Sequence, residues 1–250
     1  MKGEITSPRA DQALAPTILG QWGALAAFLK HPYLPRSTLR TGLSARLLAR
    51  LFLLDLLAII AFGTIILAVA SFGIEFPENL NSTLGLDPQT VLLLVIVAPI
   101  LEEIAFRSWL SGRPGILFAL LWAGAGIAGL TIMGSGAGFA GPFVALAGLV
   151  VAVMMLVALR GRPPLPIFER HFAYFFWASA VLFAAVHLAN YEEGALAILL
   201  PLLVPQFVVG TLAGYIRVQC GLIWSIALHA AHNALAVSLA LMALALGAEA

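Results

Sequence analysis

The sequence predicts an all-α membrane protein: a polytopic helix bundle of about seven transmembrane helices plus an N-terminal interfacial helix. Three observations carry this reading. Hydrophobic residues fill 62% of the 250 positions, more apolar surface than the interior of a soluble chain of this length can hide. Charged residues make up 10%, against about 25% in a soluble domain. The apolar residues also fall in runs of roughly 20, the length that crosses a bilayer core. Such spans leave no room for an attached soluble domain, and the lipid bilayer becomes the principal surrounding partner. A net charge of +1 with dispersed bases argues against nucleic acid as a partner. The lone cysteine, Cys220, excludes a disulfide framework or a thiolate-built metal cluster.

Residues 1–45 read as a cytoplasmic tail and interfacial helix, and residues 46–250 as a single transmembrane domain. The stretch from Met1 to Ala15 lacks the basic-then-apolar order of a cleaved signal and is expected to be retained. Ile18 to Leu29 is apolar but too short to span, and Lys30, Pro32 and Pro35 end it, which predicts a helix lying at the interface. The first span starts near Arg46 and reaches about Phe72, followed by an acidic loop containing Glu75, Glu78 and Asp87. Further spans are predicted at about 88–111, 114–133, 138–159, 170–190, 195–216 and 221–247.

Loop charge checks this count. Lys30, Arg36, Arg40, Arg46 and Arg50 precede span one. Arg107 and Arg113 follow span two, Arg160, Arg162 and Arg170 follow span four, and Arg217 follows span six; the alternate loops carry no base. Because Lys and Arg concentrate on the cytoplasmic side, the alternation predicts a cytoplasmic N-terminus and an external C-terminus. Spans three and four, rich in Gly and Ala and free of charge, read as packing helices.

The informative residues are those ionisable groups that fall at bilayer depth, where each costs at least a few kcal/mol and needs a partner or a wet cavity. They are Asp55, Glu102, Glu103, Arg107, His187, His229 and His232, with Asn233 as a polar companion. In VAPILEEIAFRSWL, Arg107 follows Glu103 by four residues, the favourable order for a helical ion pair. Glu102 projects about 100° away around the helix. It is therefore the buried carboxylate left without a local cation, the kind that can serve as a general base near neutrality. Phe183 precedes His187 by one turn and can pack on its ring. His229 and Asn233 share a helix face and can aim two donors at one spot, as an oxyanion site requires. His232 lies one turn from His229 on the other flank, and spacing alone does not say which histidine belongs to the site. Asp55 reads as a packing or interface residue. Together the three segments supply a base, a histidine partner and an oxyanion donor pair, the set a peptide-hydrolysing site needs.

EExxxR at Glu102 to Arg107, FxxxH at Phe183 to His187 and HxxxN at His229 to Asn233, in that order, resemble the CPBP family of intramembrane proteases. That family includes the type II CAAX prenyl endopeptidase and bacterial relatives linked to bacteriocin processing and self-immunity. The likeness covers Leu92 to Leu110 and Trp177 to Val237. It implies an integral membrane endopeptidase, in a bacterial plasma membrane, acting on a membrane-associated peptide or protein. By the resemblance Glu102 activates water, His187 orients that water, His229 and Asn233 hold the oxyanion, and Glu103 with Arg107 supports the site, while His232 has no family role. Substrate-binding residues and oligomeric state are not legible.

Gly112 to Phe168 inserts an extra pair of spans, which preserves the direction of the flanking helices. His187 falls near the outer end of its span, so that span is tilted or starts later, or its helix ends inside the protein around a water-filled cavity. Two chemistries fit the residues. Zinc held by Glu102, His187 and His229 with an open position for water is the metallo alternative. The chain lacks HExxH, and the metal-free reading gives every residue a role, so no cofactor is favoured. The rival functions are an ion- or proton-coupled transporter, since pumps also use intramembrane Glu, His and Arg, and a non-catalytic immunity or scaffold protein.

Overall fold

The computed structural model describes residues 14–35, 37–39, 41–80, 85–134 and 138–246. Most of the expected N-terminal tail, with Arg36 and Arg40, lies outside the described residues. What is described is helical throughout: α1 (Ile18–Lys30), α2 (Thr41–Ala70), α3 (Pro88–Leu92), α4 (Ala98–Arg107), α5 (Pro114–Met133), α6 (Ala140–Ala158), α7 (Pro166–Arg170), α8 (Phe172–Val186), α9 (Leu196–Leu202), α10 (Val204–Cys220) and α11 (Leu222–Ala245). Among the described residues six helical segments are long and apolar enough to cross a membrane, and there are seven if the pair α9 and α10, bent by 40°, counts as one span. The bend falls between Pro201 inside α9 and Pro205 in the first turn of α10, where two missing N–H donors prevent a continuous helix. The first span begins at Thr41, five residues before Arg46, because Ser44 and Leu47 already pack inside the protein.

The described chain divides into two compact units, one of residues 1–107 with 173–250 and one of residues 108–172. In the first, α10 is the central helix. Its residues from Val209 to Ile216 are buried on every side, as expected of a helix surrounded by other helices. α2, α4 and α11 pack around it. Small residues allow the approach: a Cβ on Gly214 would lie 3.0 Å from the Phe176 ring, and one on Gly210 would lie 2.9 Å from the Phe183 ring. Gly210 and Gly214 form a small-xxx-small pair that receives two aromatic rings of α8. The short α1 forms where the sequence predicts it, capped by Thr17, whose hydroxyl accepts from the Gly20 N–H at 3.0 Å. One face of α1 buries Gln21, Leu25 and Phe28, with Gln21 Nε2 donating to the Tyr215 hydroxyl at 3.3 Å, while Leu19 faces outward.

The segment from Pro88 starts abruptly because Asp87 caps it, accepting from the N–H groups of Gln89 and Thr90 at 2.8 and 3.2 Å, with Pro88 at the first helical position. The same bonds, above all the Thr90 hydroxyl, hold the Asp87 carboxyl below its ordinary range.

The second unit contains spans three and four. α5 and α6 lie against each other through glycines: a Cβ on Gly148 would stand 2.6 Å from the Trp122 carbonyl oxygen and 2.8 Å from Gly126 Cα. Backbone contact this close brings in the dispersion energy that drives helix association in lipid. The outward residues Leu121, Ile127, Phe143 and Val157 are exposed and apolar, as a lipid-facing surface should be. Replacement Gly148→Leu should force the two helices apart. The expected cost is about 1–3 kcal/mol, read as a lowered unfolding midpoint in detergent. The loss should be larger than for Leu121→Ala on the lipid side.

Candidate active site

All three motif segments, which belong to the first unit, meet on one cavity of about 600 Å³ lined by Glu102, His187, His229, His232 and Asn233 among others. The adjacent glutamates of α4 occupy opposite environments, as their 100° separation requires. Glu103 is fully buried, whereas the Glu102 side chain is 31% exposed and faces the cavity. The expectation of a buried, unpaired Glu102 is met in part: the side chain as a whole is 31% exposed, but its Oε2 is buried without a hydrogen-bond partner.

Glu103 sits in a built socket. Its Oε2 contacts the Ser225 hydroxyl and lies 3.7 Å from Arg107 Nε, and its Oε1 lies 3.0 Å from His229 Nδ1. Arg107 has no exposed surface; its Nη2 donates to the Gly210 carbonyl at 3.1 Å, and its guanidinium lies 4.1 Å from the centre of the Phe183 ring. A desolvated guanidinium over an aromatic face gains cation–π attraction. A Cβ on Gly210 would come within 3.0 Å of Arg107 Nη2, so the socket also needs that glycine. Ser225 and Gly210 are the residues that motif reading missed. Ser225 was detectable as the one hydroxyl a turn before His229 in an apolar run. Gly210 gave no signal.

A carboxylate can only accept, so the proton between His229 and Glu103 belongs to Nδ1, which leaves Nε2 for the cavity, 3.8 Å from Glu102 Oε2. His187 is fixed in the same sense. Its Nδ1 donates to the Phe183 carbonyl at 2.7 Å, its ring packs on Phe183 with centroids 4.8 Å apart, and its Nε2 points to Glu102 Oε2 at 3.9 Å. α8 stops at Val186 and the chain leaves as a 3-10 turn over His187–Asn190, with both of these residues on the cavity wall.

Asn233 owes its orientation to a local irregularity. Between α3 and α4 runs a π turn, Leu93–Val97, in which the Ala98 N–H bonds the Leu93 carbonyl. The Leu94 carbonyl would next look to residue 99, but Pro99 has no N–H. Asn233 Nδ2 supplies the missing donor at 2.8 Å, which leaves its second N–H free.

Two further residues are brought in that the motifs leave out. His232 lines the cavity, and its Nδ1 lies 2.8 Å from Oδ2 of Asp55, itself 1% exposed. Of the two readings of Asp55, packing and interface, the structure bears out packing: it is buried and is the partner of His232. For the zinc alternative, Glu102 with His187 and His229 was the expected set. Among the described residues, no group of three or more His, Cys, Asp or Glu side chains is arranged to hold a metal ion, so the label metalloprotease has no support in this geometry.

A membrane-spanning helix bundle that gathers paired glutamates, two fixed imidazoles and a carboxamide around one cavity belongs to the class of membrane-embedded peptidases. Residues 85–235, more than half of the chain, match the family described as Type II CAAX prenyl endopeptidase Rce1-like, and the chain belongs to that family. Neither a curated protein nor a solved structure matches it. Membership assigns peptidase activity of the CAAX type in an integral membrane protein.

Removing one member of the buried ion pair should be far worse than removing both. Arg107→Met is expected to destabilise the protein by about 3–5 kcal/mol, because Glu103 would remain as an uncompensated buried charge. The combined Glu103→Gln and Arg107→Met variant should recover part of that loss in detergent unfolding. Equal midpoints for the single and combined variants would contradict the pairing.

Proposed function

We propose that the protein hydrolyses a peptide bond in membrane-associated substrates by a glutamate-activated water, without a metal. The observation that carries this is Glu102 Oε2, within 3.9 Å of His187 Nε2 and 3.8 Å of His229 Nε2, with no hydrogen-bond partner of its own. A water held between Glu102 and the lone pair of His187 Nε2 gives its proton to Glu102 as its oxygen attacks the carbonyl carbon. His187 orients that water, because its other nitrogen is already fixed on the backbone. His229 and the free N–H of Asn233 receive the oxyanion.

Charge balance supports His229 in this role. Glu102, Glu103 and Arg107 sum to one negative charge, and a proton on His229 makes the cluster neutral while giving Nε2 a hydrogen to donate. Glu103, Arg107 and Ser225 hold His229 in place and touch no substrate. CAAX-type and leader-peptide-type processing are the substrate classes proposed, the first favoured by the family.

Glu102→Gln should reduce cleavage of a prenylated peptide ending in a CAAX sequence by at least about 100-fold, with an unchanged unfolding midpoint. Undiminished cleavage in this variant would refute the base. Chelators should leave turnover intact, and a tightly bound zinc in equal proportion to the chain and required for turnover would overturn the metal-free reading.

The orientation proposed places the N-terminus in the cytoplasm. In the first unit, Lys30 and Arg46 are exposed at one end of the helices, and Glu75, Glu78, Asp87, Glu192 and Glu193 at the other. Asn79, Leu86 and Asn190, from the acidic end, line the cavity. The positive-inside rule then turns the cavity mouth away from the cytoplasm. In intact cells Glu78→Cys should react with a membrane-impermeant maleimide and Arg46→Cys should not, with the native Cys220 silent because it is buried. The reverse pattern would invert the assignment.

A further inference from the structure

The mechanism above uses His229 and leaves the Asp55–His232 pair idle. Asp55 comes from the middle of α2, is 1% exposed, and places Oδ2 at 2.8 Å from His232 Nδ1. Its Oδ1 is buried without a hydrogen-bond partner. Since the carboxylate accepts from Nδ1, Nε2 is the ring nitrogen left to the cavity that His232 lines. α11 therefore repeats one device three residues apart. Each of its two histidines has Nδ1 fixed by a buried carboxylate from a neighbouring helix, His229 by Glu103 of α4 and His232 by Asp55 of α2.

The two pairs differ in their counter-charge. Glu103 has Arg107, whereas among the described residues the ion pairing of Asp55 is to His232 alone. A proton on His232 would balance this buried carboxylate, and the imidazole that would carry it lies at the wall of the cavity. The titratable groups facing the same space are Glu102 from α4, His187 at the end of α8 and His229 on α11, while α10 contributes the uncharged Gln206.

Amide hydrolysis needs such a proton. Water gives one up to Glu102 on attack, but the C–N bond breaks only when the leaving nitrogen is protonated. We propose that His232, positioned by Asp55, is the general acid that protonates the leaving amine; this rests on the Glu102 reading above. As the tetrahedral intermediate collapses, the His232 Nε2 proton passes to nitrogen and the C–N bond breaks. The products at that point are a carboxylic acid and a neutral amine. The acid returns a proton to His232, and the proton held by Glu102 goes to the amine, so the cycle ends with a carboxylate, an ammonium group and the enzyme restored. Asp55 is a positioning residue and His232 a catalytic one.

The test compares two versions of one prenylated CAAX peptide, with the scissile bond as an amide or as a thioester. A thiolate, with a pKa near 8.5, leaves without a proton. With the full-length protein, His232→Gln should lower kcat on the amide by about 100-fold and on the thioester by less than about 3-fold. Asp55→Asn should shift the amide-to-thioester ratio in the same direction, and Glu102→Gln should lose both substrates. The wild type supplies a readout that needs no variant: as pH rises, the amide-to-thioester ratio of kcat falls where the acid is lost, because a change in the oxyanion donors acts on both substrates and cancels in the ratio. An unchanged ratio in His232→Gln, or an amide-to-thioester ratio of kcat that stays constant as pH rises, overturns the general acid while the Glu102 reading stands. Full cleavage of both by Glu102→Gln overturns that earlier reading instead.

Discussion

The structure depends on one buried ion pair. Glu103 and Arg107 have no exposed surface, in a bundle that lies in lipid, where neither charge can be hydrated. Removing such ions from water costs several kcal/mol each unless geometry and added hydrogen bonds compensate. The compensation recruits the rest of the bundle. α10 gives the Gly210 carbonyl, α8 the Phe183 ring, and α11 both the Ser225 hydroxyl and His229. Four helices are thereby fixed in register by two side chains, in a solvent that offers little hydrophobic force to hold helices together. His229, on the cavity wall, is one of the groups so fixed.

Adjacent residues divide structure from chemistry. Glu103 is locked, while Glu102, turned by one residue, is left without a hydrogen bond in a half-open cavity. A single helix thus provides both a rigid frame and a carboxylate that faces the cavity. The two imidazole nitrogens nearest Glu102 are equally prepared, because each ring has its other nitrogen engaged. The site requires little rearrangement of its own side chains before reaction, which is the condition for efficient electrostatic catalysis.

The spans, the Glu103–Arg107 pair and the three motifs were legible because they rest on local regularities: run length, the i,i+4 rule and the positive-inside bias. The bend at Leu203 and the end of α8 at Val186 were not, since prolines and capping leave the exact break to tertiary packing. Nor was the half-exposure of Glu102, because burial in an apolar run depends on what neighbouring helices leave open. Asp55 and His232 stand 177 residues apart, and nothing in either local sequence points to the other. Pro99 was visible, but its effect on Asn233 runs through a π turn that periodicity does not reveal.

The two carboxylate–histidine pairs on α11 also bear on how the protein is made. Their acidic members lie on α2 and α4, their imidazoles on the C-terminal span, with separations of 177 and 126 residues. As the chain enters the membrane from its N-terminus, Asp55 and Glu103 reach the bilayer well before their histidines are synthesised. Until α11 inserts, those carboxylates must stay hydrated, protonated or borrowed by other partners. Both carboxylates thus wait on one helix, α11, for the imidazoles that engage them in the folded protein.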